Sequence, residues 1–170
     1  SIANISKDVK DSTIIINGFS KSCAMTGLRV GYTASNRLIA DTIASIQGHI
    51  TSHPSLISQY AALGALIDGS KDIKFMVDEF LKRRNLVIDS MVDLPSISYI
   101  NPQGGFYLFF KIKGFEDSMS LSKILIEEYN LALVPSIAFG IEGYLRMSYA
   151  SDMDTLNKGL DAIKRFLKKN

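Results

Sequence analysis

In the run Asn17-Gly18-Phe19-Ser20-Lys21-Ser22-Cys23-Ala24-Met25-Thr26-Gly27-Leu28-Arg29-Val30-Gly31-Tyr32, a lysine follows an apolar segment and a glycine, and an arginine stands eight residues later. A lysine amine bonds covalently to an aldehyde, and it becomes nucleophilic where desolvation or neighbouring cations lower its pKa. The planar fork of an arginine grips a phosphate through two hydrogen bonds, and a serine hydroxyl adds another. Lys21, Arg29 and Ser20 therefore offer an amine, a guanidinium and a hydroxyl close together in the chain. Lys21 sits just past a strand, where the crevice at a strand end can hold a ligand. Each residue also has an ordinary alternative: a lysine on the surface, an arginine in a salt bridge.

Arg146 lies in the block Ala138-Phe139-Gly140-Ile141-Glu142-Gly143-Tyr144-Leu145-Arg146-Met147-Ser148. Alternation puts Tyr144, Arg146 and Ser148 on one strand face and Leu145, Met147 and Tyr149 on the other. A guanidinium on such a strand needs a partner. That partner is either a ligand carboxylate gripped by two hydrogen bonds, or Glu142, Asp152 or Asp154 in a structural salt bridge.

These residues must be held by elements that the rest of the sequence specifies. At 170 residues the chain is long enough to bury a core. With 19 basic and 17 acidic residues, a net charge of +2, there is no basic footprint for nucleic acid. The dense clusters Lys82-Arg83-Arg84 and Lys168-Lys169 read as solvated helix faces. Cys23 is the sole cysteine, so no internal disulfide forms, which suits a reducing, cytoplasmic setting. No membrane span, signal peptide or metal ligand is expected.

The β-branched run Thr13-Ile14-Ile15-Ile16 predicts a strand over Ser12–Ile16, and Arg29–Thr33 a second, with Phe19–Leu28 as the loop between them. Helices are expected over Arg37–Gln47 and Pro54–Ile67. Gly69-Ser70 reads as a junction. A long helix, Asp72–Val92, carries an apolar stripe through Ile73, Val77, Phe80, Val87 and Met91. Strands Ser96–Ile100 and Gly105–Ile112, a helix Ser118–Tyr129, strands Leu131–Val134 and Tyr144–Tyr149, and a last helix Asp152–Lys168 capped by Ser151 follow. The fold class is α/β. Residues 69–170 form a complete small α/β sandwich domain. Residues 1–68, with two short strands and two helices, cannot cover a sheet alone and read as the incomplete end of a larger domain.

The block Asn17-Gly18-Phe19-Ser20-Lys21, continued by Ala24-Met25-Thr26-Gly27 and Arg29-Val30-Gly31-Tyr32, resembles the cofactor-lysine signature of class I/II aminotransferases. These are the aspartate-aminotransferase superfamily of pyridoxal-5'-phosphate (PLP) enzymes of fold type I. The block from Phe139 to Ser148 resembles the family's Phe-Gly…Gly…Arg-Leu-Ser pattern, and Asn101-Pro102-Gln103-Gly104-Gly105-Phe106-Tyr107 its Pro-x-Gly-[Gly/Ala]-Phe-Tyr turn. Leu28 stands where tryptophan is commonest and Cys23 where an aromatic is usual; neither change removes a group the chemistry needs.

The resemblance implies that Lys21 carries PLP and shuttles the substrate proton, that Ser20 and Arg29 bind the cofactor phosphate, and that Arg146 binds the substrate α-carboxylate with Phe106 nearby. Thr51, Ser52 and His53 match a loop that reaches the neighbouring subunit's phosphate, although a solvated interdomain loop is the plainer reading. It also implies a homodimeric parent enzyme that moves an amino group between an amino acid and a 2-oxo acid. The family's glycine-rich phosphate turn, its ring-stacking aromatic and its Asp for the pyridinium nitrogen match nothing in residues 1–16. The chain is thus expected to lack the N-terminal part of the large domain and to be catalytically deficient alone.

Two rivals share these residues. One is another fold-type I PLP enzyme, such as a carbon–sulfur lyase or an aminocyclopropane-carboxylate synthase. The other is the aminotransferase-like effector domain of a transcription regulator. Both often carry Pro where Thr26 stands.

Overall fold

The computed structural model describes all residues from 1 to 170. The chain is α/β and divides into two compact units, Ser1–Phe75 and Met76–Asn170.

In the first unit, a short helix α1 (Lys7–Asp11) precedes strand β1 (Ile15–Gly18). The strand begins later than the β-branched run predicts. Thr13 is held back by α1: its hydroxyl donates to the Val9 carbonyl at 2.6 Å and its N–H to that of Lys10 at 3.1 Å. Strand β2 (Gly31–Ala34) pairs antiparallel with β1, Gly18 opposite Gly31 and Ile15 opposite Ala34. Arg29, expected inside this second strand, lies outside it. Its φ of 50° is left-handed, a conformation that cannot continue an extended ladder.

Helices α2 (Arg37–Ile50) and α3 (Leu56–Ile67) complete the unit. The Asn36 side chain caps α2, accepting the Ile39 N–H at 3.0 Å. Pro54 stands ahead of α3 rather than in its first turn, and its carbonyl accepts a hydrogen bond from the Gln59 side chain at 2.9 Å.

Little of this unit's apolar surface is covered. Phe19, Val30 and Ala62 form its small core. Helix α2 buries no residue, Ile16 of β1 is 79% exposed and Ile57 of α3 is 76% exposed. An isolated two-stranded sheet with bare apolar faces is marginal in water, so these surfaces call for further protein.

Helix α4 (Ser70–Met91) leads into the second unit. Its stripe is buried only at its C-terminal end, at Val87 and Met91, while Val77 stays exposed. Strands β3 (Ile97–Tyr99), β4 (Tyr107–Ile112), β5 (Val134–Pro135) and β6 (Leu145–Ser148) form an antiparallel sheet in the order β3-β4-β6-β5. Strand β5 starts later than expected, because Asn130 closes helix α5 (Ser118–Tyr129) in a left-handed turn and the Leu131 N–H still bonds back to Leu125. Helix α6 (Met153–Lys169) ends the chain. Its cap is Asp152, not Ser151: the Asp152 carboxylate takes the Thr155 N–H at 2.8 Å and its hydroxyl at 2.7 Å. Two charge-assisted bonds outbid the single bond a serine would make.

One face of this sheet is core. Leu108, Phe110, Ile112, Leu145, Met147 and Tyr149 pack with Leu121 and Leu125 of α5 and Leu156, Leu160, Ile163 and Phe166 of α6, and Phe110 is 0% exposed. Strand periodicity turns Tyr107, Phe109, Lys111, Tyr144, Arg146 and Ser148 to the opposite face. No helix of the chain is long and apolar enough to cross a membrane.

Candidate functional site

The hairpin of the first unit carries the amine and the first arginine. The β1–β2 ladder continues one step past the strands, with the Phe19 N–H donating to the Val30 carbonyl at 3.3 Å. Ser20 follows Phe19 and Arg29 precedes Val30, so the two residues flank the last rung in sequence, at the mouth of the loop. Lys21 is the next residue on. The loop between is tied to the rung: the Phe19 carbonyl accepts the N–H groups of Cys23 at 3.2 Å and Met25 at 3.4 Å. Phe19 and Val30 are buried while Lys21 and Arg29 are exposed.

The Arg29 guanidinium is tethered within the loop. One guanidinium nitrogen donates to the Thr26 carbonyl at 3.1 Å, which leaves the other edge of the fork for a ligand. Ala24, Arg29 and Ser52 have left-handed backbones although none is glycine. Such conformations persist where surrounding structure over-determines them, often at ligand sites. Gly31 shows how tight the hairpin is. A Cβ there would sit 2.8 Å from the Asn17 carbonyl oxygen, a backbone atom. Gly31→Ala is expected to spread the ladder, destabilise the protein by about 1–3 kcal/mol and loosen the loop that carries Lys21. Thermal unfolding and limited proteolysis within 19–30 check both effects.

Thr51, Ser52 and His53 are all exposed. The Thr51 hydroxyl accepts from Gln47, and the His53 ring nitrogen Nδ1 lies 2.8 Å from the Pro54 carbonyl.

The second unit carries Arg146 on the sheet face away from the core, half-buried and opposite Phe109 of β4 and Val134 of β5. The salt bridge to Glu142, Asp152 or Asp154 does not form. Glu142 and Asp152 are taken up by backbone donors, and Arg146 has no ion pair. Its neighbours are aromatic: its guanidinium carbon lies 4.3 Å from the ring centre of Tyr107 and 4.4 Å from that of Phe139. A guanidinium so placed is gripped by π-faces yet keeps its N–H fork for an acceptor.

Phe106 packs against Phe80 of α4, ring centres 5.8 Å apart, and against Tyr107 at 4.4 Å. It is a margin of the core that also touches the aromatic neighbour of Arg146. The turn before it is pinned from below. Arg84 donates to the Pro102 carbonyl at 2.7 Å and to the Asn101 side chain, and the Tyr149 hydroxyl donates to the Gly105 carbonyl at 3.2 Å. Burial pushes the Tyr149 hydroxyl above the usual phenol range, so it stays a donor. Lys82-Arg83-Arg84 is therefore not one solvated face, because Arg83 lies over the Phe80 ring at 5.3 Å and Arg84 is a structural anchor.

The segment with Phe139 is anchored by Glu142. Its carboxylate accepts the Ser118 N–H at 2.6 Å, at the start of α5, and the Gly143 N–H at 3.0 Å. The buried Ser136 hydroxyl accepts the Tyr144 N–H at 2.9 Å. The Ser118 hydroxyl, followed by the N–H groups of Gly143 and Ser118, holds the Glu142 carboxyl below the ordinary glutamate value. A depressed carboxyl stabilises the fold above its unfolded pKa, and that contribution is lost as pH falls through the folded one. Glu142→Gln is expected to flatten the acid-side loss of stability below about pH 4.5. Unfolding midpoints measured from neutral pH downward check it.

Sequence reasoning gave no role of their own to Tyr107 and Phe139, and offered Glu142 only as a salt-bridge partner for Arg146. Alternation along β4 could have placed Tyr107 on the face of Arg146. Nothing in the sequence marks the Glu142–Ser118 contact.

The family model "Aminotransferase class I and II" matches residues 1–163. The chain is 38% identical to the aspartate aminotransferase of Bacillus subtilis, covering 100% of this chain and 45% of that protein. It is 40% identical to a probable N-acetyl-LL-diaminopimelate aminotransferase of the same organism, over 98% of this chain and 43% of that protein. Among solved structures, an aromatic aminotransferase from Pyrococcus horikoshii aligns with a TM-score of 0.91 at 35% identity, over 99% of this chain and 46% of that one. The chain thus spans less than half the length of these relatives, which fits the uncovered first unit. With the lysine hairpin and the arginine strand both in place, the chain belongs to the class I and II aminotransferase family.

Proposed function

We propose that this chain is the C-terminal portion of a PLP-dependent aminotransferase, which moves an amino group between an amino acid and a 2-oxo acid. The observation that supports the reading is the Phe19–Val30 rung, which Ser20 and Arg29 flank in sequence with Lys21 next in line. An amine, a guanidinium with a vacant edge and a hydroxyl are the donor set an aldehyde-bearing phosphate ester requires. On this reading the domain boundary falls near Gly69, with residues 1–68 closing the large domain and residues 69–170 forming the small one. The bare apolar faces of α2, α3 and β1 are then covered by a preceding portion of the large domain and by a second subunit.

PLP, when bound, supplies an electron sink for the electrons released at the substrate Cα. The rest falls to this chain. The Lys21 amine would hold the cofactor through its aldehyde and, once substrate has entered, would serve as the general acid–base group for the Cα proton. Arg29 and Ser20 hold the phosphate. Arg146 grips the α-carboxylate in two hydrogen bonds, which orients the Cα–H bond. Phe106 borders the same site through Tyr107.

The relatives' names span aspartate, N-acetyl-LL-diaminopimelate and aromatic substrates, which share only the amino-acid head group. That head group is what these residues of the chain address. The reading is tested by incubating the assembled protein with PLP, L-aspartate and 2-oxoglutarate and following glutamate. Transfer supports it. No transfer in that assay, with pyruvate and ammonia released from L-cystathionine supplied in its place, would put the protein among the carbon–sulfur lyases instead.

A further inference from the structure

Arg146 has an unusual setting for a half-buried arginine on a sheet. It has no ion pair, and its guanidinium carbon lies 4.3 Å from the ring centre of Tyr107 and 4.4 Å from that of Phe139. These rings are themselves fixed from outside the site. Tyr107 is locked in β4 opposite Ser148 and packs on Phe106. Phe139 meets Phe109 edge-on at 5.5 Å, at the end of a short 3₁₀ turn (Ser136–Phe139) whose following segment Glu142 ties to the start of α5.

Resting on the function proposed above, we infer that Tyr107 and Phe139 are positioning residues that hold the Arg146 fork in the orientation that receives a substrate carboxylate. The physical reason is the chemistry of the neighbours. A carboxylate partner would orient the guanidinium equally well, but it would occupy the N–H groups that the substrate needs. A π-face attracts the cation while accepting no in-plane hydrogen bond, so the fork stays oriented and available. It also avoids a carboxylate that would repel the incoming one. An arginine side chain otherwise loses rotamer freedom on being fixed, and a ready-made orientation removes part of that cost from the binding step.

The test is a set of ring substitutions in the assembled protein, with L-aspartate as the probe. Phe139→Leu and Tyr107→Leu are expected to raise KM for L-aspartate by about 5- to 30-fold while kcat changes far less. Phe139→Tyr and Tyr107→Phe keep a ring and are expected to restore the wild-type KM, which a role in bulk packing alone does not require of both. A leucine variant with unchanged KM, or ring-retaining variants as impaired as leucine, overturns the inference. Arg146→Lys is the control for the underlying reading. If it leaves KM untouched, Arg146 is not the carboxylate site at all. If it raises KM while the leucine variants do not, the site stands and the aromatic positioning falls. Should a leucine variant fold poorly, the Arg146 Nε–H resonance decides. It is expected to be ring-shifted in the wild type and in Phe139→Tyr, and a wild-type resonance at the random-coil position counts against the inference.

Discussion

Lys21→Ala in the assembled protein is expected to lower kcat by at least about 10⁴-fold, because in the proposed function one residue supplies both the covalent amine and the proton carrier. Substrate and cofactor phosphate should still bind, since Arg29, Ser20 and Arg146 remain. A spectrum with bound but unlinked PLP and near-absent turnover is the expected pair of readings. Turnover within tenfold of wild type would remove Lys21 from the chemistry. Lys21→Arg is expected to be as inactive, because a guanidinium keeps its proton at neutral pH and is no nucleophile.

The second large effect belongs to Arg146. Losing a bidentate, charge-assisted grip costs about 3–4 kcal/mol, so Arg146→Ala should reduce kcat/KM for an amino acid by about 10²- to 10³-fold. The loss should be shared by all amino-acid substrates, whatever their side chains, because the proposed role of the residue is to bind the carboxylate they have in common. A variant that loses one substrate and keeps another would mean that Arg146 reads the side chain instead. PLP binding should be unchanged, which separates this effect from misfolding of the hairpin that carries Lys21.

Much of the architecture was legible in the sequence, for reasons that differ by element. Helix α6 announced itself through Leu156, Leu160 and Ile163, a stripe that is buried against the sheet. Strand β4 followed from its alternation, which the structure turns into a core face and a site face. Errors arose where local chemistry decides a boundary. Thr13 looks like a strand residue, but its hydroxyl found the Val9 carbonyl first. Arg29 looks like the start of β2, but a left-handed backbone sets it outside the ladder. Ser151 is a good cap by type, yet Asp152 offers two acceptor oxygens to Thr155.

The site was legible only through its cations. Lys21, Arg29 and Arg146 stand out because charged groups beside apolar strands require an explanation. Their supports do not stand out. Tyr107 and Phe139 carry no role of their own by residue type, and Glu142 reads as a salt-bridge partner for Arg146, until the fold brings the two rings to Arg146 and the carboxylate to the start of α5. Arg83 and Arg84 show the converse: part of a solvated-looking cluster by sequence, they are bound to Phe80 and to the turn before Phe106.

The central claim is that the hairpin presents the Lys21 amine to a pyridoxal aldehyde whose phosphate Arg29 holds. The most direct measurement is borohydride reduction of the protein after incubation with PLP, followed by peptide mapping by mass spectrometry. The account predicts a single stable pyridoxyl mass increment on the peptide containing Lys21, weakened in Arg29→Ala and absent in Lys21→Ala. An increment on another lysine, or label spread over surface lysines with Lys21 unmodified, would contradict it.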